Sequence, residues 1–482
     1  MQTFSHTGML CTLFACLDPG TATVSRVRQG LPAAVRAVPQ LLLPDSGWVT
    51  SGDGAHVRIT GLPAGARVTI RARRTVLVSR WADSVYVNDT VVVESWARYA
   101  ATPAGHVDID RAAPLEGSWS GRDPLGLFWS MRRTPLTSPA ELTRERNRID
   151  LTVAFGDGPP LQGMLRLRLS ARPLVSRVVV APGLVGAFVA PRGAKRVPVV
   201  IALHGSEGGD TLSNVELATR FAARGYAAFA VSYVAYPWNG GLPGVPTAFD
   251  SIAVETLDRA RTWLGARPEV DTSRTALWGV SKGGEFAMVT AARRRWPRAV
   301  IGCVPSDVMW AGYGRDPAPG EVLTSWSDSG ARLPAIPYDD YADVFAGRAT
   351  PRQVHDRSRT SHPADAARAR IPVEVSDASL LLLGAERDEV WASGAMVRSL
   401  LATLRGARPQ RRTEATVYPD AGHGICGLGT SPVAAFGDTA SGVAIGTAKA
   451  AADAWLQTVR FLRQTMPPTP KAQSARATGT RG

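Results

Sequence analysis

Lysine is almost missing from this chain. Its 482 residues hold 55 Lys plus Arg, and only Lys195, Lys282, Lys449 and Lys471 are lysine. The net charge of +14 is therefore arginine charge, scattered rather than gathered into a dense basic run. No basic patch is interleaved with aromatics, so the electrostatic footprint of a nucleic-acid binder is missing and no nucleic-acid partner is expected. Scattered arginines can still serve an anionic, phosphate-bearing small molecule, because guanidinium grips phosphate bidentately. Cysteine is scarce too. Cys11, Cys16, Cys303 and Cys426 form no C-x-x-C pair, and their spacing suggests neither a disulfide framework nor a zinc site. No H-E-x-x-H occurs, and His355 with His362 lacks ligand spacing, so no metal or other cofactor is expected. The phosphate-loop pattern G-x-x-x-x-G-K-[S/T] is absent as well. No apolar run reaches about 18 residues, which leaves no candidate for an integral membrane helix.

What is present is ordinary for a large globular chain: 45% apolar and 20% charged residues, enough to bury sizeable cores. Residues 1–45 read as a disordered or linker segment, or as a possible signal. Gly8–Leu17 has the length of a signal-peptide apolar core, and Leu13-Phe14-Ala15-Cys16 faintly resembles a lipoprotein cleavage site. No Lys or Arg precedes that core, which argues against export. A cytoplasmic location is therefore expected, with export or lipid anchoring the alternative if residues 1–16 act as a signal. Residues 46–172 read as strands with Gly, Pro and Asp turns. Val57–Thr60 and Arg67–Arg71 flank the Gly61–Gly65 turn, and Val85–Val87 and Thr90–Val93 follow. Leu165-Arg166-Leu167-Arg168-Leu169 alternates cleanly, one face buried and one wet. This pattern predicts an all-β sandwich. From about residue 176 to 466, apolar runs alternate with helical patterns, as in a mainly parallel α/β sheet. Residues 307–370, rich in Pro, Gly, Asp and Arg, read as an insertion or lid rather than core. Residues 467–482 read as a disordered tail.

Within the second region, Gly279-Val280-Ser281-Lys282-Gly283 has the form G-x-S-x-G. The apolar run Thr275–Trp278 precedes it and a helical pattern from Gly284 to Arg294 follows. A strand–turn–helix with Ser at the apex is the nucleophile elbow of the α/β-hydrolase fold. It lifts the hydroxyl clear of the backbone at a helix N-terminus, where unpaired N–H groups favour a developing oxyanion.

A serine hydroxyl needs a base, and the base an orienting carboxylate. Of seven histidines, His6, His56 and His106 lie outside the α/β region, and His355 and His362 lie in the insertion. His204 opens His-Gly-Ser-Glu-Gly-Gly after an early strand, a segment that supplies oxyanion N–H groups rather than the base. His423 follows the last core strand and is the expected base. Asp388 at the end of the preceding strand is the best acid, with Glu386 and Asp420 as alternatives. The order Ser281, Asp388, His423 is the one expected on this fold. The oxyanion donors expected are the backbone N–H of Lys282 and one from Ser206 or Glu207. The Lys282 side chain is read as a solvated helix-start residue, with a substrate phosphate as its alternative partner.

Two longer runs carry a family resemblance. Gly117-Ser118-Trp119-Ser120-Gly121-Arg122-Asp123-Pro124-Leu125-Gly126-Leu127-Phe128-Trp129-Ser130-Met131, with Trp96–Tyr99, and the segments Gly279–Glu285, Asp388 with Trp391, and Tyr418-Pro419 with Gly422-His423 resemble the acyl-CoA thioesterase and bile acid-CoA:amino acid N-acyltransferase family over about residues 50–465. The resemblance implies an immunoglobulin-like sandwich joined to an α/β-hydrolase domain, and it implies the triad Ser281, Asp388 and His423. The chain departs from the family at residues 307–370, which are longer than usual there, and at His204–Gly209. The activity implied is hydrolysis of a small-molecule acyl thioester through an acyl-enzyme. Acyl transfer to an amino acid is the alternative, although family members that transfer tend to carry Cys where this chain has Ser281. A carboxylesterase or peptidase-like serine hydrolase, with export as its option, is a third reading, and a catalytically dead binding protein a fourth. The sandwich offers no nucleophile–base pair, and its expected contribution is to shape the acyl pocket where the regions meet.

Overall fold

The computed structural model describes residues 38–82, 85–237, 240–407, 412–437 and 440–468. The N-terminal apolar segment, Cys11 and Cys16, and all but the first two residues of the C-terminal tail lie outside the described residues. The region up to Arg168 is β-rich. Its larger sheet is built on a long antiparallel pair, Arg67–Ala82 with Val85–Ala100. Arg148–Phe155 joins the first of these, and Leu161–Arg168 follows it. One expectation is corrected here. Val85–Val87 and Thr90–Val93 belong to one continuous strand, because β-branched residues run through both and Asn88-Asp89 keeps its register. The two runs that flank the Gly61–Gly65 turn lie in different sheets: Arg67–Ala82 is in the larger one, and Arg58–Thr60 is not. It pairs with Gln40–Leu42 and Val107–Asp108 in a separate three-stranded sheet.

The second region is built on an eight-stranded sheet. We label its strands β1 (Leu174–Ala181), β2 (Leu184–Pro191), β3 (Val197–Leu203), β4 (Ala227–Ser232), β5 (Val270–Val280), β6 (Ala299–Cys303), β7 (Ser379–Ala385) and β8 (Thr413–Tyr418). Their spatial order is β1-β2-β4-β3-β5-β6-β7-β8. The β1/β2 and β2/β4 pairs are antiparallel and every later pair is parallel. Residues of β3 and β4 are buried without alternation, as required of strands covered on both faces. The longer helices are α1 (Thr211–Ala222), α2 (Glu255–Gly265), α3 (Lys282–Arg293), α4 (Pro351–Ser361), α5 (Ser393–Ala407) and α6 (Gly442–Thr465). Phe221 of α1 and Trp455 of α6 pack on one face of the sheet. Leu257, Phe286 and Val397, from α2, α3 and α5, pack on the other. This is the α/β-hydrolase order, and it brings the C-terminal ends of β5, β7 and β8 to one edge.

The two regions share a core. Ala444, Ala448 and Ala452 of α6 belong to the apolar cluster of the β-rich region, while Trp455 on another face of the same helix belongs to the α/β cluster. A helix apolar on more than one face is a buried helix. Trp455 donates from its indole to Gly52 O at 3.2 Å, and Arg224 donates to Ser51 O at 2.8 Å. The distinctive run 117–131 is packed here. Asp123 accepts from Leu125 N at 2.9 Å and from the Trp129 indole at 2.7 Å. A Cβ on Gly126 would come within 2.5 Å of the Trp119 indole, so only glycine fits that close approach.

Residues 307–370 are mostly exposed or half-buried but are anchored to the core at several points. Trp310, Trp326 and Ile336 are fully buried in the main α/β cluster.

Candidate active site

Ser281 ends β5 and begins α3 with φ 54° and ψ −121°, a left-handed conformation that costs a non-glycine residue about 1–3 kcal/mol. Its flanking glycines are steric necessities. A Cβ on Gly279 would sit 2.1 Å from Gly283 O, and one on Gly283 would sit 2.2 Å from His204 O. The Ser281 N–H donates to Cys303 O at 3.0 Å, which pins the elbow to the neighbouring strand. The backbone N–H of Lys282, first residue of α3, is one of the donors a helix leaves unpaired.

Asp388 follows β7 and His423 follows β8. His423 Nδ1 lies 2.9 Å from both carboxylate oxygens of Asp388. A carboxylate only accepts, so Nδ1 carries the proton and Nε2 is left as the basic nitrogen. Asp388 is itself fixed: it accepts from Val390 N at 2.9 Å, Trp391 N at 3.2 Å and the Ser393 hydroxyl. The two alternatives lie elsewhere. Glu386 is ion-paired with Arg398, and among the described residues no bond joins Asp420 to His423. The imidazole packs on the Trp391 ring at 5.9 Å, and Trp391 lines the same cavity as Ser281. Among the described residues no hydrogen bond joins Ser281 to His423, a gap common in unliganded sites that tightens when substrate arrives.

The loop after β3 reaches the nucleophile. A Cβ on Gly205 would lie 3.4 Å from Ser281 Cβ, and Ser206 lines the cavity. Gly205 N already donates to Glu207 Oε1 at 2.9 Å, so the N–H groups of Ser206 and Glu207 remain the candidate donors on this loop, and Ser206 is the one that lines the cavity. His204 stacks on Tyr233 at 4.1 Å, and its carbonyl accepts from the Tyr233 hydroxyl. Burial lowers its pKa, opposed by the nearby Glu207 charge, and the ring does not line the cavity.

Neither reading of the Lys282 side chain holds. The ammonium is 3% exposed and pairs with Glu285, which is fully buried. It donates to both Glu285 oxygens at 3.0 and 2.9 Å and to the Ser325 hydroxyl at 2.8 Å, which uses its three protons. Glu285 also accepts from the Trp326 indole at 2.6 Å. Burial lowers the Lys282 pKa and raises that of Glu285, each opposed by the partner's charge. Removing one member strands the other: Glu285→Ala should lose about 3–5 kcal/mol in urea unfolding. The double substitution Lys282→Met with Glu285→Leu leaves no stranded charge and should recover most of that loss. Equal losses in the single and the double variant would contradict the account.

The cysteine expectation is corrected here. Cys303, at the end of β6, is disulfide-bonded to Cys426, three residues past His423. Their separation of 123 residues hides the pairing from sequence spacing. The bridge ties the histidine loop to β6, the strand whose Cys303 carbonyl accepts from the elbow's Ser281 N–H. The cavity over Ser281 has a volume of about 570 Å³. Tyr236, Tyr313, Tyr338, Tyr341, His355 and Trp391 line it, and no residue of the β-rich region does. The expected inter-region acyl pocket is thus replaced by one walled from 307–370. The aromatic content of that segment was the available signal. Among the described residues no cluster of three or more His, Cys, Asp or Glu is arranged to hold a metal ion, and no helix is long and apolar enough to cross a membrane.

Comparison with known proteins adds the family context. Residues 53–184 match the acyl-CoA thioester hydrolase/BAAT N-terminal region, and residues 252–468 match the BAAT/acyl-CoA thioester hydrolase C terminal. The chain is 25% identical to human mitochondrial acyl-coenzyme A thioesterase 2 over 413 residues, covering 84% of this chain and 78% of that protein. It is 26% identical to human acyl-coenzyme A thioesterase 1 over 392 residues, covering 80% and 85%. Among solved structures, a putative dienelactone hydrolase from Klebsiella pneumoniae aligns with TM-score 0.39 and 18% identity, over 61% of this chain and 100% of that one.

Proposed function

The chain belongs to the acyl-CoA thioester hydrolase/BAAT family and is a serine hydrolase of the α/β-hydrolase fold; from that premise we propose that it hydrolyses acyl-CoA thioesters to free acid and CoA. Ser281 Oγ attacks the thioester carbonyl while His423 Nε2 takes its proton. Asp388 holds the imidazole in the right tautomer and stabilises its charged form. The backbone N–H groups of Lys282 and Ser206 receive the oxyanion. The tetrahedral intermediate collapses and the thiolate leaves, taking the proton back from His423 Nε2 and returning the imidazole to its basic form; a thiol pKa of about 8.5 makes it a good leaving group. His423 then draws a proton from water, which attacks the acyl-enzyme and frees the acid. The observation that carries this reading is the contact of half-buried His423 with buried Asp388 at 2.9 Å, beside a cavity that holds a strained Ser281.

Water is the acceptor in this reading, and free thiol and free acid should form in equal amounts from acyl-CoA. Adding glycine or taurine should leave the acid yield unchanged. N-acyl amino acid as the main product, read by mass spectrometry, would move the assignment to acyl transfer.

The Cys303–Cys426 disulfide favours a second reading. Disulfides persist in oxidising compartments, where an exported enzyme meets carboxylesters rather than acyl-CoA. The same Ser281 chemistry would then act on oxygen esters. A carboxylester turned over much faster than any acyl-CoA would select it over the cytoplasmic thioesterase.

A further inference from the structure

His355 is a second histidine in the cavity, and the acyl-transfer chemistry does not use it. It sits on α4, packs against the same Trp391 ring as His423, makes no hydrogen bond to Asp388 or His423 among the described residues, and is 4% exposed. Its Nδ1 lies 2.8 Å from Pro351 O. A carbonyl only accepts, so Nδ1 bears the proton and Nε2 presents a lone pair. The ring is boxed edge-on by Trp310 at 4.6 Å, Tyr338 at 5.3 Å and Trp391 at 5.7 Å, so it cannot swing toward another donor. No described residue bonds to Nε2, although the residue lines the cavity with Ser281. Burial pushes the His355 pKa down to about 4, helped by the Lys282 charge, so the ring remains a neutral acceptor at ordinary pH.

An acceptor in a mainly aromatic chamber is costly unless something donates to it. A plain alkyl chain filling the chamber would leave Nε2 buried without a partner. We propose that His355 is a specificity-determining residue whose Nε2 accepts a hydrogen bond from the substrate, so that the chamber selects a substrate with a donor on the portion it encloses. This rests on the acyl-thioester reading of the same site. The donor has two possible sources: a hydroxyl on the acyl group, or an amide N–H of the pantetheine arm of CoA. A site built to bond a substrate donor discriminates strongly against the analogue that lacks it, because the protein group is then stranded.

The test is a four-substrate comparison in the full-length protein. Hydroxylated and plain acyl groups of equal length are each supplied as CoA thioesters and as aryl thioesters, which lack the pantetheine arm. Wild type, His355→Phe and His355→Gln are run together, with thermal melts to check folding. With an acyl hydroxyl as the donor, wild type favours the hydroxylated acyl group by roughly tenfold or more in kcat/KM on both carriers. His355→Phe erases that ratio, and His355→Gln, which keeps an acceptor, restores part of it. With the pantetheine amide as the donor, His355→Phe raises KM for both CoA thioesters and for neither aryl thioester. The proposal is overturned if wild type shows no such ratio and His355→Phe shifts KM on neither carrier. It is overturned equally if the variant lowers kcat alike on all four substrates with unchanged KM. Should His355→Phe fail to fold, the wild-type ratio and the His355→Gln variant decide. If acyl-CoA is not turned over at all, the thioesterase reading falls, and the ratio on aryl thioesters still tests His355.

Discussion

Ser281→Ala should lower kcat for thioester hydrolysis by about six orders of magnitude, the loss typical when the nucleophile of such a unit is removed. The melting temperature should stay close to wild type. Ser281 takes no part in the apolar clusters, and alanine meets the same positive φ as serine. KM should change little, because the acyl chamber and both backbone oxyanion donors survive the substitution. Steady-state thiol release under substrate excess measures the effect. A residual rate above about one-thousandth of wild type would mean that another group attacks the carbonyl.

The second large effect belongs to Asp388. Asp388→Asn keeps the size of the side chain but offers an amide N–H or O where two acceptor oxygens now face His423 Nδ1. The imidazole then loses its enforced tautomer and its charge partner, and kcat should fall by about 10⁴. Glu386→Gln and Asp420→Asn should each leave kcat within about threefold of wild type, since Glu386 is turned to Arg398 and no bond joins Asp420 to His423 among the described residues; surface changes of this kind are worth only fractions of a kcal/mol. A collapse in either control, with Asp388→Asn active, would reassign the acid. Asp388 also anchors Val390 N and Trp391 N, so the melt must be read beside the rate.

The elbow was legible because every part of it is local. Gly279, Ser281 and Gly283 lie within one turn, and their steric roles follow from the strand before and the helix after. Asp388 and His423 were legible through chain order, since each stands at the C-terminal end of a strand in the expected sequence. The environment of Lys282 was not. Its position at the start of a helix predicts solvent, but Ser325 and Trp326, some 40 residues away in a Pro- and Gly-rich stretch, close over it with Glu285. The same distance effect hid the chamber. Tyr313, Tyr338 and His355 have no common period, and only the fold of residues 307–370 brings them to one wall. The role of α6 was likewise half visible. Its alanines fit any helix, and that one of its faces completes the β-rich core depends on that region's position. The cysteine pair shows the limit most plainly, because residues 123 apart carry no mark of being neighbours.

The most direct measurement is a rapid-quench digest of the protein mixed with acyl-CoA, followed by mass spectrometry of the peptide that contains Ser281. The account predicts that this peptide gains the mass of the acyl group minus one proton within a single turnover, and that the adduct decays as free acid appears. His423→Ala should abolish the adduct. An acyl group found on any other residue, or acid released with Ser281 never modified, would contradict the account.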